Sequence, residues 1–346
     1  MRMTDRSTLE YPFDAPPPAG EIREVAPGIA WLRMPLPYVL DHINLWMLDD
    51  GAGVAIIDTG IGNEVTRAFW DRIFERHLNG RPVTHVLITH LHPDHAGNAG
   101  WLTERFKVPL TCSQGDYLMA HAWRDQSSGY QVDALVDLFR HHGLDESSLT
   151  EIDATRGTAY RRAVPRFPDR YQRLIDGDTV KIGGSEWQVI MGYGHAPEHA
   201  SLYSTERQVL ISGDMILPRI STNVSVSAVS PEGNPLKRFI DSVKVLGRLP
   251  DDTFVLPSHG LPFYGLQLRA RQLVEHHDAR FAELQEACAT PRIAAELIPI
   301  LFRRKLDAQG LFFAMGETLA HLNYLVEAGR MRREPAPGDR TRYVAV

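Results

Sequence analysis

Apolar and polar positions alternate in short runs over the first third of the chain. Residues 29–33 and 43–48 are extended in character, and Asp49-Asp50-Gly51 marks a hairpin turn into an apolar run at 54–57 that ends in Asp58-Thr59-Gly60. Residues 66–78 carry apolar side chains at helical spacing, with Asn79-Gly80 as their stop, and they feed an extended run at 83–88. A helix over 98–106 and a strand over 109–112 follow, and this strand, helix, strand succession predicts a layered α/β domain.

Between 115 and 173 the periodicity turns helical, including 132–142, before strand character returns at 178–182, the Gly183-Gly184 turn and 187–191. That stretch interrupts the sheet, so it is expected to form a helical lid over the site rather than a domain of its own. Past residue 268 the pattern changes again. A long amphipathic helix is predicted over 268–287, and Thr290-Pro291 reads as the N-cap and first turn of a helix over 292–302. A third helix over 315–328 is closed by Gly329, and 331–346 reads as a hairpin about Pro337-Gly338. The expected organisation is a loose tail at 1–20, a large domain at 21–267 and a small one at 268–346.

Composition narrows the class. The 346 residues are 43% hydrophobic and 23% charged, enough apolar material for a large core. A net charge of -6 argues against nucleic acid held by bulk electrostatics. Cys112 and Cys288 have no CxxC spacing, so neither a disulfide framework nor a thiolate zinc site is indicated. The first twenty residues hold Pro16-Pro17-Pro18 and no apolar core of signal-peptide length, and no later run approaches a membrane span. The expectation is a cytoplasmic protein without a membrane partner.

The chemistry concentrates in Thr89-His90-Leu91-His92-Pro93-Asp94-His95, directly after the apolar run at 85–88. Three imidazoles and a carboxylate on the turn leaving a strand can converge on metal as one helix face could not. Imidazole and carboxylate without thiolate suit zinc, with iron or manganese as other candidates. Three more strand-like runs end in potential ligands: Gly194-His195-Ala196-Pro197-Glu198-His199, Ser212-Gly213-Asp214 and Ser258-His259-Gly260.

In these motifs, over residues 21 to 265, the chain resembles the metallo-β-lactamase superfamily of αββα metallohydrolases. The resemblance implies a four-layer αββα sandwich with a helical insertion and two zinc ions per chain. His90, His92 and His195 would hold the first ion, Asp94, His95 and His259 the second, and Asp214 would bridge them. Asp58 would anchor the histidine turn, and Asp94 would also position the attacking water or take its proton, a catalytic role. The family's Gly-His-Thr-Pro-Gly-His is here Gly-His-Ala-Pro-Glu-His, which removes no ligand, and His199 is expected to support rather than ligate. The C-terminal pattern resembles the winged-helix-like domain of the branch containing β-lactamase-like protein 2.

The implied function is hydrolysis of an ester, thioester or related acyl bond in a small molecule. Its alternatives are a ribonuclease like those of that branch and, further off, a di-iron oxidoreductase. Residues 311–329 contain Glu317 and Glu327 but no Lys or Arg, so the terminal module is expected to pack or to form a homodimer rather than bind nucleic acid. His276-His277-Asp278 and His141-His142 read as solvated helix faces, and Cys112 as a small core residue. The arginines at 156, 161, 162, 166, 170 and 173 could dock an anionic part of the substrate, a reading weighed against a solvated surface.

Overall fold

In a computed structural model, which describes residues 7–38 and 40–346, the apolar alternation sorts side chains onto two faces of each strand. The first sheet runs in the order β1 (Ile22–Ala26), β2 (Ile29–Pro35), β3 (His42–Asp50), β4 (Gly53–Ile57), β5 (Val83–Leu87), β6 (Leu110–Ser113) and β7 (Tyr171–Leu174). Its first strands are antiparallel, whereas β4 to β7 pair in parallel. On β3, Ile43, Leu45 and Met47 face one way and Trp46 and Leu48 the other; on β4, Val54 and Ile56 oppose Ala55 and Ile57. Both faces are therefore buried, as the unbroken apolar run of β4 requires.

The outer face is covered by α1 (Glu64–Ile73), whose last turn widens into a π-helix at Phe74–Leu78, and, past the short α2 (Pro93–Ala96), by α3 (Ala99–Phe106). Asn63 caps α1 by accepting from the Thr66 amide, and Asn79 takes the left-handed conformation that ends it. The crossover from β6 to its parallel neighbour β7 is entirely helical: α4 (Gln114–Arg124), α5 (Val132–His141), α6 (Glu146–Arg156) and α7 (Ala159–Ala163).

A second sheet has the order β12-β11-β10-β9-β8, made of β8 (Thr179–Ile182), β9 (Ser185–Gly192), β10 (His199–Ser204), β11 (Val209–Gly213) and β12 (Phe254–Pro257). Trp31, Trp46, Ile57 and Leu87 of the first sheet meet Trp187, Val189, Leu202, Ile211 and Leu256 of the second in one buried cluster. Each such side chain contributes about 1.5–3 kcal/mol by leaving water. The far face of the second sheet is covered by α8 (Pro235–Leu246) and α9 (Leu266–Ala287). These clusters are the three interfaces of a four-layer αββα sandwich.

The small terminal domain adds β13 (Arg292–Ile293), α10 (Ala294–Leu301), α11 (Ala308–Glu327), β14 (Met331–Ala336) and β15 (Arg340–Ala345), with the antiparallel sheet order β13-β15-β14. Here local reading went astray. Arg292 and Ile293 pair with Tyr343 and Arg342 across the sheet, so Thr290-Pro291 caps no helix; α10 starts at Ala294, with Glu296 accepting from the Ile293 amide. The third helix also begins at Ala308, earlier than expected, where Asp307 accepts from Gly310. Among the described residues no helix is long and apolar enough to cross a membrane.

Candidate metal centre

Every ligand-bearing turn leaves the C-terminal end of a strand at the same edge of the sandwich. β4 leads into Asp58, β5 through Thr89 into His90, β11 delivers Asp214 and β12 leads to His259. Cross-links hold these turns in register: the Ala200 amide donates to Thr89 O (2.7 Å), that of Asn44 to Ser258 O (2.7 Å) and that of Ser258 to Gly213 O (3.2 Å). Gly213 lies at positive φ against His199 Nε2, where a Cβ would clash.

His90 Nε2, His92 Nδ1 and His195 Nε2 form a triangle with sides of 2.9, 2.9 and 3.1 Å. Such a triangle leaves a point about 2.0–2.1 Å from all three nitrogens, the distance of a zinc–imidazole bond. One ring hydrogen cannot satisfy three mutual contacts, so the convergent lone pairs call for a cation. Burial, and then the neighbouring histidines, push the pKa of His90 well below the ordinary imidazole value; burial and chiefly His195 do the same to His92. Both are held neutral, the state a ligand needs.

The second group lies beside the first. Asp94 Oδ2 is 3.3 Å from His259 Nε2 and 3.8 Å from His95 Nε2. Asp214 spans both groups: Oδ1 lies 3.5 Å from His95 Nε2 and from His259 Nε2, while Oδ2 lies 3.3 Å from His195 Nε2. His95 Nε2 and Asp214 Oδ1 are buried and make no hydrogen bond. Unsatisfied donors and acceptors at such depth are costly unless something else occupies them. Although burial works against charge, His95 and His259 hold Asp94 down at about 2, and Asp58 with the other carboxylates holds His95 well above its usual range. The donor set fits two divalent ions.

Residues around the ligands fix their ring orientation. Asp58, a non-glycine residue at φ 64°, accepts from the Thr89 amide (2.7 Å) and contacts His95 Nδ1 (2.9 Å). His195 Nδ1 meets Asn223 O (2.7 Å), and His259 Nδ1 meets His42 O (3.0 Å). Each leaves Nε2 free to ligate. His199 Nε2 accepts from the Asp214 amide (3.0 Å), and burial drives its pKa to about 3.

Several contributors carried no motif. The carboxylate of Asp116 accepts from the Leu91 amide (2.7 Å) and the Glu198 amide (2.8 Å), tying two ligand turns together. Ser113-x-x-Asp116 is legible as a helix cap, but that second task depends on chain 82 residues away. Tyr160 Oη donates to Leu91 O (2.7 Å) and Trp123 stacks on His92, so the helical insertion abuts the histidine turn. The loop after Asp214 is held by Arg269, which donates to Leu217 O and Ile220 O, and by Glu317 of α11, which accepts from Asn223 Nδ2 (3.0 Å).

Other expectations change. His277 is fully buried and contacts His321 Nε2 (3.1 Å), so only His276 and Asp278 of that trio face solvent. His142 is buried on Tyr343, and His141 meets Thr341. In both places a helix packs on the terminal domain, a partner no local pattern reveals. Cys112 lies in the core of β6, where burial pushes its thiol pKa up. The arginine strip divides: Arg156 and Arg162 line a cavity of about 610 Å³ with Tyr38, Ile61, Gly62 and Asn63, whereas Arg161, Arg170 and Arg173 are exposed elsewhere and Arg166 pairs with Glu104.

Residues 38–259 match the family model described as "Metallo-beta-lactamase superfamily", and residues 281–346 match "Metallo-beta-lactamase-like, C-terminal domain". The structure of a β-lactamase domain protein from Burkholderia ambifaria is 48% identical, with 98% of each chain covered and a TM-score of 0.90. "Probable metallo-hydrolase YqjP" of Bacillus subtilis is 23% identical over 304 residues, 85% of this chain and 91% of that protein. The hydroxyacylglutathione hydrolase GloC of Haemophilus influenzae is 26% identical over 213 residues, 61% of this chain and 82% of that one.

Proposed function

This chain belongs to the metallo-beta-lactamase superfamily as a metallo-hydrolase, and from that premise we propose that it cleaves an ester, thioester or related acyl bond of a small molecule. The observation that carries the reading is the Asp214 carboxylate, with one oxygen toward His195 and the other toward His95 and His259. His90, His92 and His195 would hold one ion, Asp94, His95 and His259 a second, and Asp214 both. Two divalent ions there, zinc by the imidazole and carboxylate chemistry of the donors, would supply Lewis acidity to the scissile carbonyl and acidify water toward neutrality.

The protein's own groups do the rest. Asp58 accepts a hydrogen bond from the Nδ1–H of His95 and keeps its Nε2 lone pair inward, as Asn223 O and His42 O do for His195 and His259. Asp94, the more accessible of the two central carboxylates, orients the attacking water and accepts its proton. It returns that proton to the leaving group, so a thioester and water give a carboxylic acid and a thiol. The acyl reading also draws on the named activity of the hydroxyacylglutathione hydrolase relative. We read the terminal module as winged-helix-like and as a packing element, a reading supported by α11 closing over the loop that carries Asn223.

Elemental analysis of protein purified without chelator tests the metal content and identity. A screen of thioesters, lactones, β-lactams and phosphodiesters tests the bond. Turnover of acyl substrates is expected; turnover of phosphodiesters alone would replace this reading with the nuclease one.

A further inference from the structure

A cavity is walled by Tyr38, residues 61–63, the α6–α7 stretch and the start of α11 at residues 307–309. Arg156 is unusual there. Its guanidinium lies over the Phe312 ring, 3.9 Å from the centroid, and 5.5 Å from that of Phe313. Among the described residues it makes no hydrogen bond and pairs with no carboxylate, whereas Arg140, Arg105 and Arg166 on open surface are all paired. A cation taken partly out of water and left unpaired is unfavourable unless a partner arrives. Stacking on Phe312 offsets part of that cost and holds the planar fork in one orientation.

Arg162 enters the same cavity from α7, braced by its contact with Thr158 Oγ1 (2.8 Å). Neither acidic residue in the wall is ion-paired with these arginines. Asp307 is engaged as the cap of α11, and Glu151 is exposed and bonded to neither arginine. Tyr38 lines the same cavity as both arginines, and burial first, then the Asp94 carboxylate, raises its hydroxyl pKa. Tyr160, on the same short helix as Arg162, touches Leu91 between two ligands.

We propose that Arg156 and Arg162 form an anion-docking subsite that takes the carboxylate or phosphate of the substrate's non-reacting part while its acyl bond lies at the metal pair. This rests on the acyl-hydrolase reading. It makes the preferred substrate a thioester of an anionic thiol, of which coenzyme A supplies phosphates and glutathione supplies carboxylates. A guanidinium fork suits either anion through paired charge-assisted hydrogen bonds.

The test compares acetyl-coenzyme A, S-lactoylglutathione and a neutral ethyl thioester on the metal-loaded full chain, alongside calorimetric binding of coenzyme A and glutathione themselves. Arg156→Met replaces the guanidinium over Phe312 by an unbranched apolar side chain and removes the charge. It is expected to raise KM for the anionic thioester about tenfold or more with kcat within about twofold, so that selectivity over the neutral thioester falls. Arg162→Gln acts in the same direction, Arg156→Lys recovers part of the loss, and the effect shrinks at high ionic strength. Arg170→Ala, outside the cavity, changes nothing. The thiol whose binding weakens in the variants identifies the source of the anion. Wild-type KM and wild-type thiol binding in both Arg156→Met and Arg162→Gln would overturn the subsite while leaving the hydrolase reading standing. Arg156-dependent thiol binding without turnover of any acyl substrate would uphold the subsite and overturn the hydrolase reading.

Discussion

Asp214 and Asp116 are both buried carboxylates at the metal centre, and they act through different partners. Asp214 faces both donor groups with its two oxygens, so Asp214→Ala is expected to lower the occupancy of both ions where loss of a ligand to one group lowers mainly one. Elemental analysis reads this directly, and full metal content in that variant would refute the bridge. Asp116 accepts two amides, and Asp116→Ala would leave the buried Leu91 N–H and the half-buried Glu198 N–H unpaired. A loss of about 2–4 kcal/mol in chemical denaturation is expected, with metal affinity about 10–100-fold lower in chelator competition. Asp116→Asn, keeping one acceptor oxygen, should fall between; wild-type behaviour in Asp116→Ala would mean the two turns hold themselves. The histidines and aspartates that gather at the candidate site were legible because metal chemistry restricts residue type and strand ends suit such groups. Asp116, Asn223 and Glu317 were not, because any polar residue can occupy such positions and only long-range contacts define their roles.

At the scale of elements, α11 is the piece whose role depends most on its surroundings. Its sequence reads as a helix with few charges, and the structure aims Glu317 at Asn223, the residue whose carbonyl orients His195. Burial raises the Glu317 carboxyl to about 7 from its ordinary 4.5, against the opposing Asn223 hydrogen bond. Between those values the folded chain binds more protons at this site than the unfolded chain, so stability falls as pH rises from about 4.5 to about 7 and is flat on either side. The difference amounts to at most about 3 kcal/mol. Glu317→Gln keeps an acceptor for Asn223 and removes the charge. Its melting temperature, compared with that of the wild type across this range, should gain most above pH 7, and a parallel offset at all pH values would contradict the assignment. Glu317→Ala, lacking the acceptor, should also weaken metal retention through His195. Strands β2 to β5 were legible as short apolar runs bounded by turn residues, and α1 from its period and caps. The short β13 was not, since two residues carry no period and its partner β15 lies about fifty residues further along the chain.

For the whole molecule, the question is whether the terminal domain is a separable appendage, as its distinct sequence pattern suggests. Inter-domain interfaces within a chain are commonly modest and polar, which lets the parts unfold separately. Here one buried cluster runs from Tyr203, Leu210 and Val255 of the second sheet through Phe239 of α8 and Phe281 of α9 to Leu319 and Leu322 of α11, ending at Met331 and Tyr343 of the terminal hairpin. Phe139 and Ile152 of the insertion join it, and Phe312 beneath Arg156 packs against it. A sequence can suggest that each of these helices has an apolar face but not which faces meet, so a change of pattern near residue 268 is visible while the shared core is not. Because that core serves the sheet, the lid helices and the terminal domain together, scanning calorimetry of the metal-free protein is expected to show one cooperative transition. A chain ending at Ala289 would expose Phe281 and Leu284 and lose the support of the Asn223 loop, and it should aggregate or lose cooperativity rather than persist as a stable catalytic domain. Two resolved transitions, or a soluble truncated chain with native metal content, would show the terminal domain to be an accessory. A single transition with a failed truncation would make α11 as much a part of the catalytic domain as the strands that carry the ligands.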